Sequence, residues 1–531
     1  MAVITPPPLK PSEPGLSGAA AATRLLSMGV DARWIDASMA WHRFALAPAR
    51  LLAGLDRARG VPEGERRAME RVAQRQAVDP PALRRPETYR SRRVYSSAVN
   101  DLENALRLAA LPHPGFRLGV AMVALERPLR RLESSATLTF LCAEPGPFDD
   151  YFVEELIPSL AAMSPARVAV SLTFQQQVPA AFRLARLLAE RLPGTPRVLG
   201  GPLVACWAAV GVRLEGEPFS VFDRVVTGSE DDLRALGSDD EAPAPALDPA
   251  VLAPPLDQAP WDHYLSPLPT VPVALGKGCY YRRCTFCPDH LHDRHRACSR
   301  DALGEWLQVV AARFPRGAML HLTDSALPPD HLERLAEVIQ RDKLPLSWHG
   351  FVRAEDRFAD PVFARHLAEG GCKMLQLGIE SGSPSVLRRL GKGIRPEGAR
   401  RALAALGSAG IMNHVYLLFG VPGETDEDRE LTLELVREAG SHIHAINPAL
   451  LNLPKGSPMH RHAESFGITD LVPFAADTDL SLSVDFRCGA SHPRREARTW
   501  LAQRFFKDAS VRRIQGELKA AFKANHLCFL G

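Results

Sequence analysis

Six strand-like runs, "TVPVAL", "AMLHLTD", "LSWHGF", "MLQLGIE", "NHVYLLFG" and "HAINPALLNL", follow one another between residues 270 and 453. Amphipathic helical stretches separate them. Six β/α repeats in about 190 residues leave few folds open, and a parallel barrel or open barrel is the expectation. In such a fold the chemistry sits at the C-terminal ends of the strands. The barrel is assigned to residues 261–459, and the tail at 460–531, which mixes loops with one basic helix near "RRIQGELKAAFKA", is placed as a cover for its mouth.

The remainder of the 531 residues calls for a further domain, since one core of ordinary size cannot serve so long a chain. The start, "AVITPPPLKPSEPGLSGAAAATRLLSMGVDARWID", reads as strand, Pro/Gly loop, helix and strand. After an Arg-rich helical insertion at about residues 47–115, "ARVAVSLTFQQQVPAAFRLARLLAERLPGTPRVLGGPL" resumes the pattern with a buried strand at 167–174, a helix and a strand ending in two glycines. "FDRVVTGSEDDLRAL" adds a strand, a turn at Gly228 and a helix with acidic residues in its first turn. Residues 1–236 are therefore expected to form a doubly wound, Rossmann-like sheet. The acidic, Pro/Ala-rich stretch 237–260 is read as the linker.

Composition excludes more than it assigns. Hydrophobic residues make up 46% and charged residues 24%, values of a soluble globular chain, and the formal charge of +3 favours neither nucleic acid nor an acidic membrane surface. No apolar run reaches the ~18 residues of a membrane span, and the N-terminus lacks the pattern of a secretory signal. Nine unevenly spread cysteines suit a reducing cytoplasm better than a disulfide framework.

Three of those cysteines, Cys279, Cys284 and Cys287, crowd into "GKGCYYRRCTFCPDH" directly after the first barrel strand. Thiolates converging from one loop suit zinc or an iron–sulfur cluster. Zinc would need a fourth ligand, for which Asp289, His290, His292, His295 and Cys298 are candidates. A [4Fe–4S] cluster held by three cysteines would leave one iron open. Tyr280 and Tyr281 are read as packing residues of the loop. Four later stretches end predicted strands: "HLTDSALPP", "WHGFVRAED", "GIESGS" and "LLFGVPGETDED".

The loop, its place after the first strand and these four stretches resemble the radical S-adenosylmethionine (SAM) superfamily, over residues 270–460. The usual motif has three residues between the first two cysteines; "CYYRRC" has four, as in a cobalamin-associated subgroup. The resemblance implies a [4Fe–4S] cluster on Cys279, Cys284 and Cys287. It implies SAM contacts from Thr323 and Asp324 (amino group), Arg353 (carboxylate), Glu380 and Ser381 (ribose or amino-acid moiety), and Gly420 and Pro422 beside the adenine, with Phe286 shielding the cluster or facing adenine. Helix N-capping for Asp324 and a surface ion pair for Arg353 remain the structural alternatives. The first 236 residues resemble the cobalamin-binding domain that precedes many such barrels. Ser171, Thr173, Gly200, Gly201 and Gly228 would line the corrin site, although the Asp-x-His-x-x-Gly pattern is absent and "GSED" replaces the relatives' acidic "GEGE".

What the resemblance implies is reductive cleavage of SAM to a 5′-deoxyadenosyl radical, with methylcobalamin able to deliver a methyl group to a substrate carbon. A one-electron donor such as flavodoxin or ferredoxin would be the partner. "SLTFQQQ" and the extended cysteine spacing are most similar to proteins maturing ribosomally made peptides. A small-molecule intermediate as substrate, and a non-catalytic metal-stabilised binding protein, are the alternatives.

Overall fold

The computed structural model describes residues 1–56, 61–78, 82–113, 115–125, 131–228, 232, 252–291 and 295–516. The helix expected after Gly228, the linker up to residue 251 and the basic stretch beyond Gly516 lie outside the described residues.

Strands β1 (Ala2–Thr5), β2 (Arg33–Asp36), β3 (Val168–Ser171), β4 (Arg197–Gly200) and β5 (Arg224–Val225) form one all-parallel sheet in the order β2-β1-β3-β4-β5. Alternate side chains supply two cores, as the strand period of two demands. Val3 and Val198 pack with Ala19, Ala22 and Leu25 of helix Leu16–Ser27. Ile4, Val170 and Leu199 pack with Trp41, Phe152, Phe182 and Trp207 on the other face. The sheet is thus doubly wound, and its order reverses between β1 and β3, the place where sheets of this kind take their ligands.

Strand β3 is shorter than expected. Gln177 accepts from the backbone N–H of both Thr173 and Phe174 at 3.0 Å, which draws them out of the ladder after Ser171. Its amide also donates to Pro6 C=O at 2.7 Å, tying the loop after β3 to the loop after β1. The Arg-rich segment is helical over Pro48–Leu55, Glu63–Val78 and Arg92–Ala110, and it leads into an antiparallel hairpin, Phe116–Gly119 with Met122–Leu125, that the sequence does not announce.

The second sheet is parallel throughout and runs in sequential order: β6 (Thr270–Val273), β7 (Ala318–Leu322), β8 (Leu346–Arg353), β9 (Cys372–Glu380), β10 (Met412–Phe419) and β11 (Ala445–Leu450). Each expected run is a strand. Leu320, Trp348, Leu375, Leu377, Val415 and Leu417 point to the surrounding helices and form the core there. The opposite faces carry His321, His349, Gln376 and His414, together with Arg353 and Glu380 at the upper strand ends. Six strands in sequence make a partial (β/α)6 barrel, so the expected α/β fold class is observed.

The N-terminal sheet is docked onto this barrel. Glu13 meets His321 at 2.9 Å, Leu265 N–H donates to Pro11 C=O at 2.6 Å, and Tyr264 donates to Asp36 at 2.7 Å. Residues 252–260, the end of the stretch read as linker, are part of this contact: Leu252 bridges to Ala274 and Gln258 accepts from Trp34 N–H. The tail is richer than one basic helix. Its short strands Asp470–Val472 and Ser483–Arg487, the latter also paired antiparallel with Leu453–Pro454 at the end of the barrel segment, and helix Pro493–Gln503 lie against the barrel end. Residues 477–480 strap the N-terminal unit: Asp477 accepts from Ser134, Leu480 N–H donates to Glu133 C=O, and Leu480 C=O accepts from Trp207 Nε1 at 2.9 Å.

Candidate functional site

The loop after β6 is pinned at many points. Thr285 N–H donates to Leu390 C=O at 2.9 Å, its hydroxyl to Arg389 C=O at 2.9 Å, and its own C=O accepts from Met459 N–H at 2.7 Å. Tyr281 donates to Gly391 C=O at 3.0 Å and Tyr280 to Glu355 at 2.5 Å, so both tyrosines do pack the loop. A turn from Cys287 N–H to Cys284 C=O brings those two cysteines together.

Cys284 is buried; Cys279 and Cys287 are partly so. Burial raises the Cys284 thiol, while Lys392 and then Arg353 pull it back toward thiolate. Burial and neighbouring Asp289 push Cys287 up to about 12. The three sulfurs lie within electrostatic reach of one another. Among the described residues no three Cys, His, Asp or Glu side chains already enclose a single metal ion. Of the candidate fourth ligands, Cys298 is in the barrel core and His295 is bonded to Gly278 C=O. His290 and His292 fall outside the described side chains. Three soft thiols beside two buried cations fit an anionic iron–sulfur cluster.

Arg353 is not at the surface. It is 5% exposed, donates to Lys392 C=O at 2.5 Å and Glu355 at 2.7 Å, and lies 3.1 Å above the Tyr281 ring. Among the described residues its Nε has no hydrogen-bond partner, a buried donor free to meet an added group.

Asp324 is not an N-cap either, because the next helix starts beyond Pro328. It accepts from Leu275 N–H at 3.0 Å and from Gly276 N–H, so it braces the entrance of the cysteine loop, and burial pushes its carboxyl up to about 6. Thr323 bonds Val273 C=O beside it.

Glu380 ends β9 at a register shift with φ of 68°, a left-handed backbone that a non-glycine residue adopts only under constraint. Its carboxylate takes a 2.8 Å bond from buried Lys392. A Cβ on Gly378 would stand 2.9 Å from both partners, so that glycine makes room for the pair. Ser381 is turned away, bonded to Thr432 at 3.0 Å, where it joins β9 to helix Asp426–Glu438. Lys392 escapes sequence reasoning; the signal was there in "GKG", two glycines flanking a lysine.

The "GVPGET" segment packs closely on the rest of the chain. Gly420 (φ 75°) faces the Pro493–Arg494 backbone, and Gly423 faces the Arg389 guanidinium, so chain atoms fill the space these glycines leave. Pro422 is buried between them. Thr425 caps the following helix, while Glu424 turns back to Gly420 N–H at 2.7 Å and pairs with Arg429 at 3.1 Å. Phe286 packs toward Leu390, Leu418 and Met459 in a hydrophobic cluster under the tail.

At the switch point of the first sheet, Ser17 meets Ser171 at 3.0 Å and Thr173 at 2.5 Å. These three hydroxyls stand where the strand order reverses, and Ser17 is a residue the sequence reading omits. The side of Gly200 and Gly201 where a Cβ would stand is filled by the chain: on Gly200 it would meet Val226 at 2.8 Å, and on Gly201 (φ 107°) it would overlap the Leu172 backbone. No described residue comes within 4 Å of where a Cβ on Gly228 (φ 82°) would stand. Ser229, Glu230 and Asp231 of "GSED" lie outside the described residues. A hydroxyl-lined switch point fits a large nucleotide-like or corrin ligand.

A sequential parallel barrel with three thiols on its first strand–helix loop, joined to a doubly wound sheet, defines a cluster-bearing barrel with a second cofactor-type domain. Residues 273–436, the greater part of the barrel, match the model of the Radical SAM superfamily. An uncharacterized methyltransferase of Pyrococcus horikoshii is 28% identical over 34% of this chain and 39% of its own length. The chain thus spans about two fifths of that curated relative. Among solved structures, the cobalamin-dependent S-adenosylmethionine radical enzyme OxsB with aqua-cobalamin bound has a TM-score of 0.50 at 14% identity, over 71% of this chain and 65% of OxsB, a likeness of fold. TsrM, a radical S-adenosylmethionine methyltransferase from Kitasatospora setae with cobalamin and a [4Fe–4S] cluster bound, has a TM-score of 0.46 at 20% identity over 62% and 73%. Among the described residues no helix is long and apolar enough to cross a membrane.

Proposed function

We propose that this chain is a radical SAM enzyme that methylates or similarly modifies a carbon of a peptide precursor, with a [4Fe–4S] cluster on Cys279, Cys284 and Cys287 and a cobalamin at the switch point of the first sheet. The observation that carries the reading is the thiol loop itself, pinned after β6 between buried Arg353 and Lys392. When bound, these groups supply the electron and radical chemistry and the transferable methyl group.

The protein's part is to hold and orient. Asp324 and Thr323 fix the loop's entrance, Glu380 is held in place by Lys392, and Arg353 offers its Nε toward the anionic end of SAM. Ser17, Ser171 and Thr173 give the corrin its hydroxyl contacts, with Gly228 as the backbone position. The docked N-terminal unit and the tail exclude water. A flavodoxin- or ferredoxin-type carrier of the cytoplasm supplies the electron. The peptide substrate rests on the sequence resemblance of "SLTFQQQ" and the four-residue cysteine gap.

Anaerobic reconstitution is expected to give about four irons per chain with charge-transfer absorption, and cleavage of SAM to 5′-deoxyadenosine under reduction. Equal iron content in the triple Cys→Ala variant would refute the cluster assignment. A washed protein that keeps no corrin absorption after purification with hydroxocobalamin removes methyl transfer from cobalamin.

A further inference from the structure

Lys392 is 5% exposed, its ammonium is 2.8 Å from Glu380, and it sits in a turn between Gly391 (φ 62°) and Gly393 (φ 69°). Both glycines are required there. A Cβ on Gly391 would press on Arg283 C=O and one on Gly393 on the Tyr281 hydroxyl, so the turn lies directly against the cysteine loop. A buried ion pair is a poor device for stability, since apolar side chains of similar volume usually serve as well. Its position beside Cys284 is what distinguishes it. The residues leading into the turn hold both neighbours of Cys284: Leu390 C=O and Arg389 C=O accept from Thr285, and a Cβ on Gly391 would press on Arg283 C=O. The turn thus brings a buried ammonium to the Cys284 corner.

We infer that Lys392 raises the reduction potential of the cluster by placing a fixed, buried positive charge at its Cys284 corner. This rests on the cluster assignment above. Reduction adds one electron and breaks no bond, so a fixed cation favours the reduced form over the oxidised one, and net charge is among the factors that set such potentials. Arg353 shares the task but is held by Glu355.

The test uses the full chain, reconstituted anaerobically without SAM, as wild type, K392M, K392R and E380Q. Iron per chain and the reduced-cluster electron paramagnetic resonance signal are followed as the potential is stepped. At the poise where wild type is half reduced, K392M is expected to show an about tenfold lower ratio of reduced to oxidised cluster, a midpoint more negative by about 59 mV for one electron. K392R should stay near wild type, and E380Q should shift the opposite way. An unshifted midpoint in K392M with wild-type iron content overturns the inference. If K392M takes up no iron, E380Q decides, and an unshifted E380Q overturns it. Loss of iron from K392R as well overturns it too, because shape rather than charge would then be the lysine's role. Wild type without iron refutes the underlying cluster assignment instead, so the two failures are distinct.

Discussion

Replacing Arg353 by Met should loosen the cysteine loop without unfolding the barrel. The side chain joins three parts: the end of β8, the turn at Lys392 and the Tyr281 ring. A hydrogen bond from a charged group contributes about 1.5–3 kcal/mol. A desolvated cation over an aromatic ring adds about 1–2 kcal/mol. Methionine keeps some of the packing on Tyr281, and the Thr285 and Tyr281 anchors survive. A net loss of about 2 kcal/mol for local opening is then reasonable, equivalent to roughly 30-fold faster amide exchange. Hydrogen exchange read by mass spectrometry on the protein without cofactors is the assay, with peptides covering 276–290 compared with peptides from β10 as an internal reference. Arg353→Lys, which keeps the charge and loses the planar fork, should fall between wild type and Met. Unchanged exchange over 276–290 in the Met variant would refute the idea that Arg353 clamps the loop.

Other consequences are accessible to simple measurements. Gly201→Ala should destabilise the N-terminal sheet by about 2–4 kcal/mol, because its φ of 107° and the nearby Leu172 backbone both exclude a Cβ; limited proteolysis that leaves the variant as resistant as wild type would contradict this. Burial pushes the Glu424 carboxyl up to about 7 from 4.5, against the pull of Arg429. A raised carboxyl contributes its stability below the unfolded value and loses it as pH climbs to the folded one, so urea unfolding should show wild type losing up to about 3 kcal/mol relative to Glu424→Gln between pH 4.5 and about 7. Trp207→Phe removes the donor to Leu480 C=O, and exchange at residues 477–482 should rise about fivefold for a bond of about 1 kcal/mol.

Much of the architecture was legible because local pattern and tertiary role agree. The runs around Leu320, Leu375 and Val415 are apolar on the face that the helices cover, and each is bounded by Gly or Pro turns. The cysteine loop was legible for the same reason: its residues are neighbours in sequence. What depends on distant pairs was not. Ser17 gains meaning only beside Ser171, 154 positions later. Lys392 is an ordinary basic residue until the fold buries it against Glu380. The close packing at Gly200 and Gly201 was not legible, because a glycine that makes room for its own chain looks in sequence like any other. The strands of the tail are too short to carry a periodicity.

The strap at residues 477–480 bears on the order in which the molecule can be built. Trp207 waits for a partner 273 positions further along the chain, and Glu133 and Ser134 wait longer still. At a synthesis rate of about 10 residues per second, that is roughly half a minute during which the N-terminal sheet lacks its strap. A ribosome-bound chain stopped before residue 477 should therefore hold the sheet through the contacts of residues 252–265 and His321 alone, with the Trp207 side of the unit still unstrapped.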